Sequence, residues 1–336
     1  MTPRRVLLVG PRFHGYTGSV ASALGTRGHD VTTHLYDVWP TLGAKLRGKV
    51  LEELPQRLGA GSSWPAVQTR TTDEALRVLC EVRPEVVLAI KADALTRGFW
   101  EAARTSGALT HLWLYDELRR TRVDPDVLPS VDVLTSYSAL DTAALLAEGL
   151  EATHVANGFD DHVPWTTRQV AALVFVGARY PNRERLLVEV HARGVPVLAV
   201  GRDWSGHPLD RLRTWDLHRP ALPAARDVDR AAAYGLMAGA AANLNVHHDQ
   251  DGFTMRTFEI PGTGGLQVVD RPDVAAYYDP GTEVVVAEGA DEVADVTRRA
   301  LADPSWARSV GAAGRRRTLA EHTMAHRVAE LEALWA

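Results

Sequence analysis

Short apolar runs alternate with helix-period patterns along the whole chain, and nearly every run stops at a glycine, proline or acidic turn. That alternation predicts parallel strands joined by crossover helices, an α/β protein. Residues 6–10 form the first strand. A turn over 11–19 follows, with Gly15 and Gly18 bracketing Tyr16 and Thr17, then a helix to about Arg27 closed by Gly28 and a strand over 31–36. The turn lacks the full GxGxxG spacing, and no acidic residue stands where a dinucleotide ribose needs one. Its glycines equally suit the approach of an acceptor or a phosphate to the backbone.

Residues 42–58 read as a charged helical excursion and 59–65 as a loop. A helix over 72–83, opened by Thr72 or Asp73, precedes a strand over 85–90. A helix over 95–106 leads to a strand over 108–115 that ends in Asp116 and Glu117, a carboxylate pair facing the edge where parallel sheets bind ligands. Asp116 is therefore a site candidate, with a turn or cap role as its alternative. Strands over 131–135 and 152–155 flank a helix over 138–148. Residues 157–165 carry Gly, Pro and acidic residues without a period and form the best linker in the chain.

The pattern then restarts. A strand over 172–176 ends in Gly177, Arg179 and Arg183, with Asn182 expected to cap a helix over 183–193. The next strand, 195–200, ends in Gly201, Arg202 and Asp203. A short helix containing Tyr234 leads to a buried-looking strand over 241–246. After it come a polar cluster from His247 to Gly252, a helix beginning at Thr254, the glycine-rich stop 261–265 and a strand over 266–270. Apolar stretches over 274–278 and 282–287, a helix over 291–302 and a helical tail over 306–335 complete the chain. The Arg315-Arg316-Arg317 run reads as a solvated helix face.

At 336 residues the chain is long enough for two domains. Its net charge of -5 argues against a general nucleic-acid surface, and no apolar run is long enough to span a bilayer. The Arg4-Arg5 start leads into an apolar run too short for a secretory signal, which places the protein in the cytoplasm. Cys80 is the single cysteine, so no disulfide within the chain and no multi-cysteine metal site can form. Set among Leu76, Val78 and Leu79, it reads as a small buried helix residue rather than a nucleophile.

The chemistry gathers between Asp251 and Glu259. A sugar nucleotide needs acceptors for its hydroxyls and donors for its diphosphate. Asp251 in the loop and Glu259 on the following helix supply carboxylates eight positions apart. Arg256 and the backbone N–H groups of Gly252 and Phe253 supply donors at a helix start. Arg179, Arg183 and Arg202 at neighbouring strand ends suit a pyrophosphate, although a solvated surface charge is the ordinary role for any one arginine. Arginines and a helix dipole together can neutralise a leaving diphosphate without metal. His247, His248 and Asp249 carry ligand chemistry, but adjacent residues at a strand end point to opposite faces, so no metal site is expected.

The segment resembles the acidic-x7-acidic motif of group 1 retaining glycosyltransferases, with Asp251 in place of the usual first Glu. More closely it is similar to the spore-maturation, CgeB-like branch. The shared residues are Asn243-Leu244-Asn245, Arg256-x-Phe258-Glu259, Gly262-x-Gly264-Gly265, Tyr277-Tyr278-Asp279-Pro280-Gly281-x-Glu283, Phe175-Val176-Gly177 with Asn182-Arg183, and Gly314-Arg315 with Glu321-His322-Thr323. The likeness covers most of residues 172–327 and is looser before them, where Trp113-x-Tyr115-Asp116 is its main trace. It implies a GT-B fold of two Rossmann-like domains with parallel sheets facing across a cleft. An acceptor domain over 1–160, a nucleotide-sugar domain over 161–320 and a final helix over 321–336 returning to the first domain are the expected divisions.

By the same likeness Glu259 would hold the ribose, Asp251 the donor sugar, and Arg179, Arg183 or Arg202 the diphosphate. The expected reaction is sugar transfer from a nucleoside diphosphate sugar to a small-molecule or glycan hydroxyl, with retention, no separate cofactor and no metal. Acceptor contacts, His14 and Gly15 among them, are expected from the loops after residues 10, 36, 91 and 115. Two alternatives share this architecture: a non-catalytic nucleotide-sugar-binding protein and a sugar-nucleotide 2-epimerase. The base, the sugar, the acceptor and the oligomeric state are not written in these patterns.

Overall fold

Strands buried on both faces need continuous apolar sequence, and the runs read above supply it. The computed structural model of the chain describes residues 2–36, 64–216, 218–247 and 250–336. The helix expected over 42–58 and most of the loop expected over 59–65 lie outside them. The chain divides into two compact units, residues 1–156 with 327–336, and residues 157–326.

The first unit holds β1 (Arg5–Gly10), β2 (Asp30–Leu35), β3 (Val86–Ile90), β4 (Leu109–Leu114), β5 (Val133–Ser136) and β6 (Thr153–His154), in the order β2-β1-β3-β4-β5-β6. Every pairing among them is parallel. Helices α1 (Tyr16–Thr26), α2 (Trp64–Val82), α3 (Arg97–Thr105) and α4 (Ala139–Ala147) connect and cover the strands. Leu7, Val9, Val87, Ala89, Leu112 and Leu114 make the sheet side of its core, and Leu79, Phe99 and Trp100 the helix side.

The second unit repeats the plan with β7 (Val170–Val176), β8 (Val197–Val200), β9 (Ala224–Ala225), β10 (Ala240–Asn245), β11 (Gln267–Val269) and β12 (Val285–Val286), in the order β12-β11-β10-β7-β8-β9, again all parallel. Its helices are α5 (Pro181–Ala192), α6 (Pro208–Thr214), α7 (Arg230–Gly239), α8 (Met255–Gly262), α9 (Ala290–Ala302) and α10 (Pro304–Glu321). The last helix, α11 (Met324–Ala333), begins in this unit and ends among the residues of the first. In each sheet the chain lays strands to one side of its first strand and then to the other. The turning points fall between β1 and β3 and between β7 and β10, where open parallel sheets bind ligands.

Several local expectations need correction. Helix α2 already runs through Trp64 to Val82, so it does not open near Thr72; the Thr72 hydroxyl instead accepts from the Thr96 N–H at 2.9 Å. Cys80 is exposed. The buried positions of α2 are Thr71, Thr72, Ala75 and Leu79, and Cys80 is turned off that stripe. Asn182 does not cap α5: the helix opens at Pro181, two residues earlier than expected, Tyr180 is the cap position, and the side-chain oxygen of Asn182 is buried without a hydrogen-bond partner.

The helical tail is broken at His322 and Thr323. There Phe159 donates its N–H to the His322 carbonyl at 2.9 Å and accepts from the Met324 N–H at 2.7 Å, forming a bridge with Thr323. The stretch over 274–278 is largely a short 3-10 turn, Pro272–Ala276. No helix among the described residues is long and apolar enough to cross a membrane.

Candidate functional site

At the turning point of the second sheet, β7 ends at Val176 and β10 at Asn245, and α8 starts close beyond them. Gly177 follows β7 tightly: a Cβ there would stand 3.2 Å from the Phe175 ring. From the first turn of α8, Arg256 sends its Nε to the Val176 carbonyl at 3.1 Å, which ties the helix start to the end of β7. Its Nη1 ion-pairs with Glu259, one helical turn on. Glu259 has no exposed surface, and the Tyr234 hydroxyl from α7 donates to its other oxygen at 3.2 Å. A carboxylate can be buried so completely only because those partners come with it.

The loop carrying Asp251, Gly252 and Phe253 is held from three sides. Arg183 is buried, and its Nε and Nη2 both donate to the Val246 carbonyl, at 3.0 and 2.7 Å, while Nη2 also reaches Gln250. Arg271, just past β11, donates its Nη1 to the carbonyls of Gln250 and Asp251 at 2.7 and 2.9 Å, and its guanidinium lies 4.3 Å from the centre of the Phe253 ring. Burial works against the Arg271 charge, but its bond to Asp273 and the nearby carboxylates of Asp270 and Asp251 outweigh it, and the group holds its proton more tightly than usual. The Asn157 amide donates to the Phe253 carbonyl at 3.0 Å.

Below this loop lies a buried polar network. Both ring nitrogens of His247 are engaged, Nδ1 with Asp270 and Nε2 with the Thr257 hydroxyl, each at 3.0 Å, and Thr257 also accepts from Asn245. His247 therefore ties β10 to α8 and β11. His248 and Asp249, its neighbours in the metal reading, lie outside the described residues.

The remaining arginines differ in setting. Arg179 ion-pairs with Asp216 and stands 3.6 Å from Glu184. Arg202, after β8, is half exposed and lies 3.3 Å from Asp227. Arg183 is sequestered by main-chain carbonyls, which makes it a clamp on the Asp251 loop rather than a donor facing outward. The two tryptophans nearest strand ends are core residues: Trp113 donates to the Val155 carbonyl at 3.2 Å and Trp204 to that of Gly177 at 2.9 Å, both buried.

Asp116, His14 and Gly15 belong to the first unit. The expected carboxylate pair after β4 separates. Asp116 stays half buried, 3.5 Å from Lys91 and 3.6 Å from Arg120, while Glu117 is fully buried and accepts from the Tyr137 hydroxyl at 2.5 Å. Burial, above all, raises the Glu117 carboxyl above its usual range. His14 and Gly15 lie in the turn after β1, both at positive φ.

Sequence reasoning missed Arg271, Tyr234 and Asn157. Arg271 had a signal, since it follows a short apolar run as Arg202 does. The other two become visible only when the sheet brings their elements to Glu259 and Phe253.

Residues 179–333 match the model of a family described as glycosyl transferase-like. No curated protein matches the chain by sequence. Among solved structures it is similar to sucrose-phosphate synthase (tll1590) from Thermosynechococcus elongatus, with a TM-score of 0.68, 14% identity and coverage of 99% of this chain and 98% of that one. It is also similar to Anabaena Alr3699/HepE in complex with UDP-glucose (TM-score 0.64, 12% identity, 98% and 99% covered). A third is AviGT4, a glycosyltransferase involved in avilamycin A biosynthesis (0.64, 16%, 99% and 97%). The fold is GT-B, two Rossmann-like units each built on a parallel sheet, and the segment over 179–333 is glycosyltransferase-like.

Proposed function

We propose that the chain transfers a sugar from a nucleoside diphosphate sugar to a hydroxyl of a small-molecule or glycan acceptor, with retention of configuration. The observation that carries this reading is the Arg256–Glu259 pair at the turning point of the second sheet, beside a loop that presents Asp251. In this reading Glu259 accepts the ribose hydroxyls and Asp251 accepts hydroxyls of the donor sugar. Arg256 turns from Glu259 to the diphosphate as the nucleotide enters, which exposes the carboxylate to the ribose. Arg179, Arg202 and the N–H groups of Gly252 and Phe253 add donors along the same edge.

The leaving group is a diphosphate, so stabilising its developing charge is the main electrostatic task, and arginines fixed beside a helix start serve it without a resident metal. Arg183 acts one step back, as a positioning residue for the Asp251 loop. Retention and the CgeB-like assignment rest on the sequence resemblance. The UDP-glucose complex of the Anabaena structure makes uridine sugars the first donors to test.

A thermal-shift panel of nucleoside diphosphates and their sugars, with and without divalent cation, tests the donor site. One nucleotide family should raise the melting temperature without added metal, and Glu259→Ala should abolish that shift. Saturating nucleotides that leave the melting temperature unmoved would sink the donor assignment. Binding without hydrolysis or transfer to any acceptor would make the chain a nucleotide-sugar-binding protein, and release of an epimerised sugar nucleotide would make it an epimerase.

A further inference from the structure

Of the eight large apolar side chains that stand exposed among the described residues, three fall within seven positions, on α6 and at its end. Leu209 is 54% exposed, Leu212 61% and Trp215 61%. Leu209 and Leu212, three residues apart, share a helix face, and Arg213, four from Leu209, lies on it too. Trp215 closes the helix at φ 55°, a left-handed position where glycine is the usual residue. An aromatic ring so placed gains little burial from the fold. The packed side of α6 is elsewhere: Asp210 is buried and accepts from Nε and Nη2 of Arg226 at 2.8 and 3.0 Å. The charges sort in the same way. Residues 207–226 carry four arginines against two aspartates, in a chain whose net charge is -5. Both aspartates are matched, Asp210 by Arg226 and Asp216 by Arg179. Arg211 and Arg213 make no ion pair among the described residues, so the unmatched charge on the helix is positive.

We propose that this face of α6 docks on an anionic lipid surface, with Leu209, Leu212 and Trp215 at the acyl boundary and Arg213 at the headgroups. Leucines on one helix face with a tryptophan at its end are a set that partitions into the interface of a bilayer, where the indole keeps its N–H in the polar layer. An arginine there lays its stem along the acyl boundary and leaves its charge with the headgroups. A second copy of the chain, or another protein, fits less well. Three side chains offer a few hundred Å2 of apolar surface, well short of the roughly 800 Å2 per partner of a stable interface. A bilayer sets no such minimum, because each side chain partitions on its own and the surface potential adds to it. None of these four side chains is among those assigned to the donor, so attachment and nucleotide binding are separable.

Co-sedimentation of the full chain with vesicles of phosphatidylcholine alone, and of equal parts phosphatidylcholine and phosphatidylglycerol, tests this. The chain should pellet with the anionic vesicles, bind the neutral ones about tenfold more weakly, and come off as salt rises. Leu212→Glu, Trp215→Ser and Arg213→Glu should each weaken binding to the anionic vesicles about tenfold, whereas Trp215→Phe should keep most of it. Circular dichroism melts confirm that each variant is folded, and the nucleotide thermal shift should persist in all of them. A chain that stays in the supernatant with anionic vesicles overturns the proposal, as does full binding by a folded variant carrying both Leu212→Glu and Trp215→Ser. A concentration-dependent dimer in sedimentation velocity that this double variant abolishes, with no vesicle binding, assigns the face to a protein contact and overturns it too.

Discussion

In the proposed donor site the Asp251 loop needs its backbone fixed, and at residue scale Arg271 is one of the side chains that fix it. Arg271 takes the carbonyls on both sides of the Gln250–Asp251 peptide link and covers the Phe253 ring. Arg271→Ala is expected to weaken nucleotide binding about tenfold in calorimetry while lowering the melting temperature by only about 2–4 °C. Arg271→Lys should fail to restore binding, because a point charge cannot serve two carbonyls, an aspartate and a ring together. Rescue by lysine would mean that charge alone is at work. Asp251 and Glu259 could be read from the sequence because their spacing is local. Arg271 acts at a distance of twenty residues, and nothing in one short strand end says which loop its fork will hold. Glu259 was legible as a carboxylate but not as a fully buried one, since its burial depends on Tyr234 from another helix.

At the scale of elements, the strands were the most legible part because parallel sheets demand uninterrupted apolar runs. What failed were boundaries set by contacts. The break between α10 and α11 comes from Phe159, more than 150 residues earlier in sequence, which pairs with His322 and Met324 and fits no local stop signal. Two-residue strands such as β9 carry no period at all. Two glycines quoted for the family likeness turn out to serve close packing: a Cβ on Gly262 of α8 would enter the Phe159 ring, and one on Gly314 of α10 would overlap the carbonyl oxygen of Glu283. Gly311 of α10, which was not among them, is as tightly placed, since a Cβ there would overlap the carbonyl oxygen of Gly264. Gly311→Ala should therefore destabilise the protein by about 2–3 kcal/mol in urea unfolding despite alanine's better helix propensity. An unchanged or raised urea midpoint would show that α8 and α10 can separate at little cost.

At the scale of the molecule, residues 327–336 group with the first unit through a small set of buried polar contacts. Glu332 bonds Arg27 and His29, and Trp335 donates its indole N–H to Nδ1 of His111 at 2.8 Å. His111 must then carry its proton on Nε2, facing Thr135. Burial lowers His111 to about 3, and burial is also the leading cause that lowers His34 and His154 in the same unit. An unfolded chain regains the ordinary histidine value near 6.5 and takes up protons that the folded unit refuses. Stability from these groups is thus fully present above pH 6.5 and is lost as pH falls from there towards the folded values. Glu332 adds a second limb. Burial alone would raise it, but Arg27 and His29 outweigh burial and lower it, so its contribution is present above about pH 4.5 and disappears as pH falls through its depressed folded value. Urea unfolding of the first unit, read by hydrogen exchange of β4 amides, should weaken steadily between pH 6.5 and 5. His111→Gln should be less stable at pH 7.5 yet shallower in that window by up to about 1.4 kcal/mol per pH unit, the slope of one proton. An identical slope in the variant would mean that His111 is not the group that titrates.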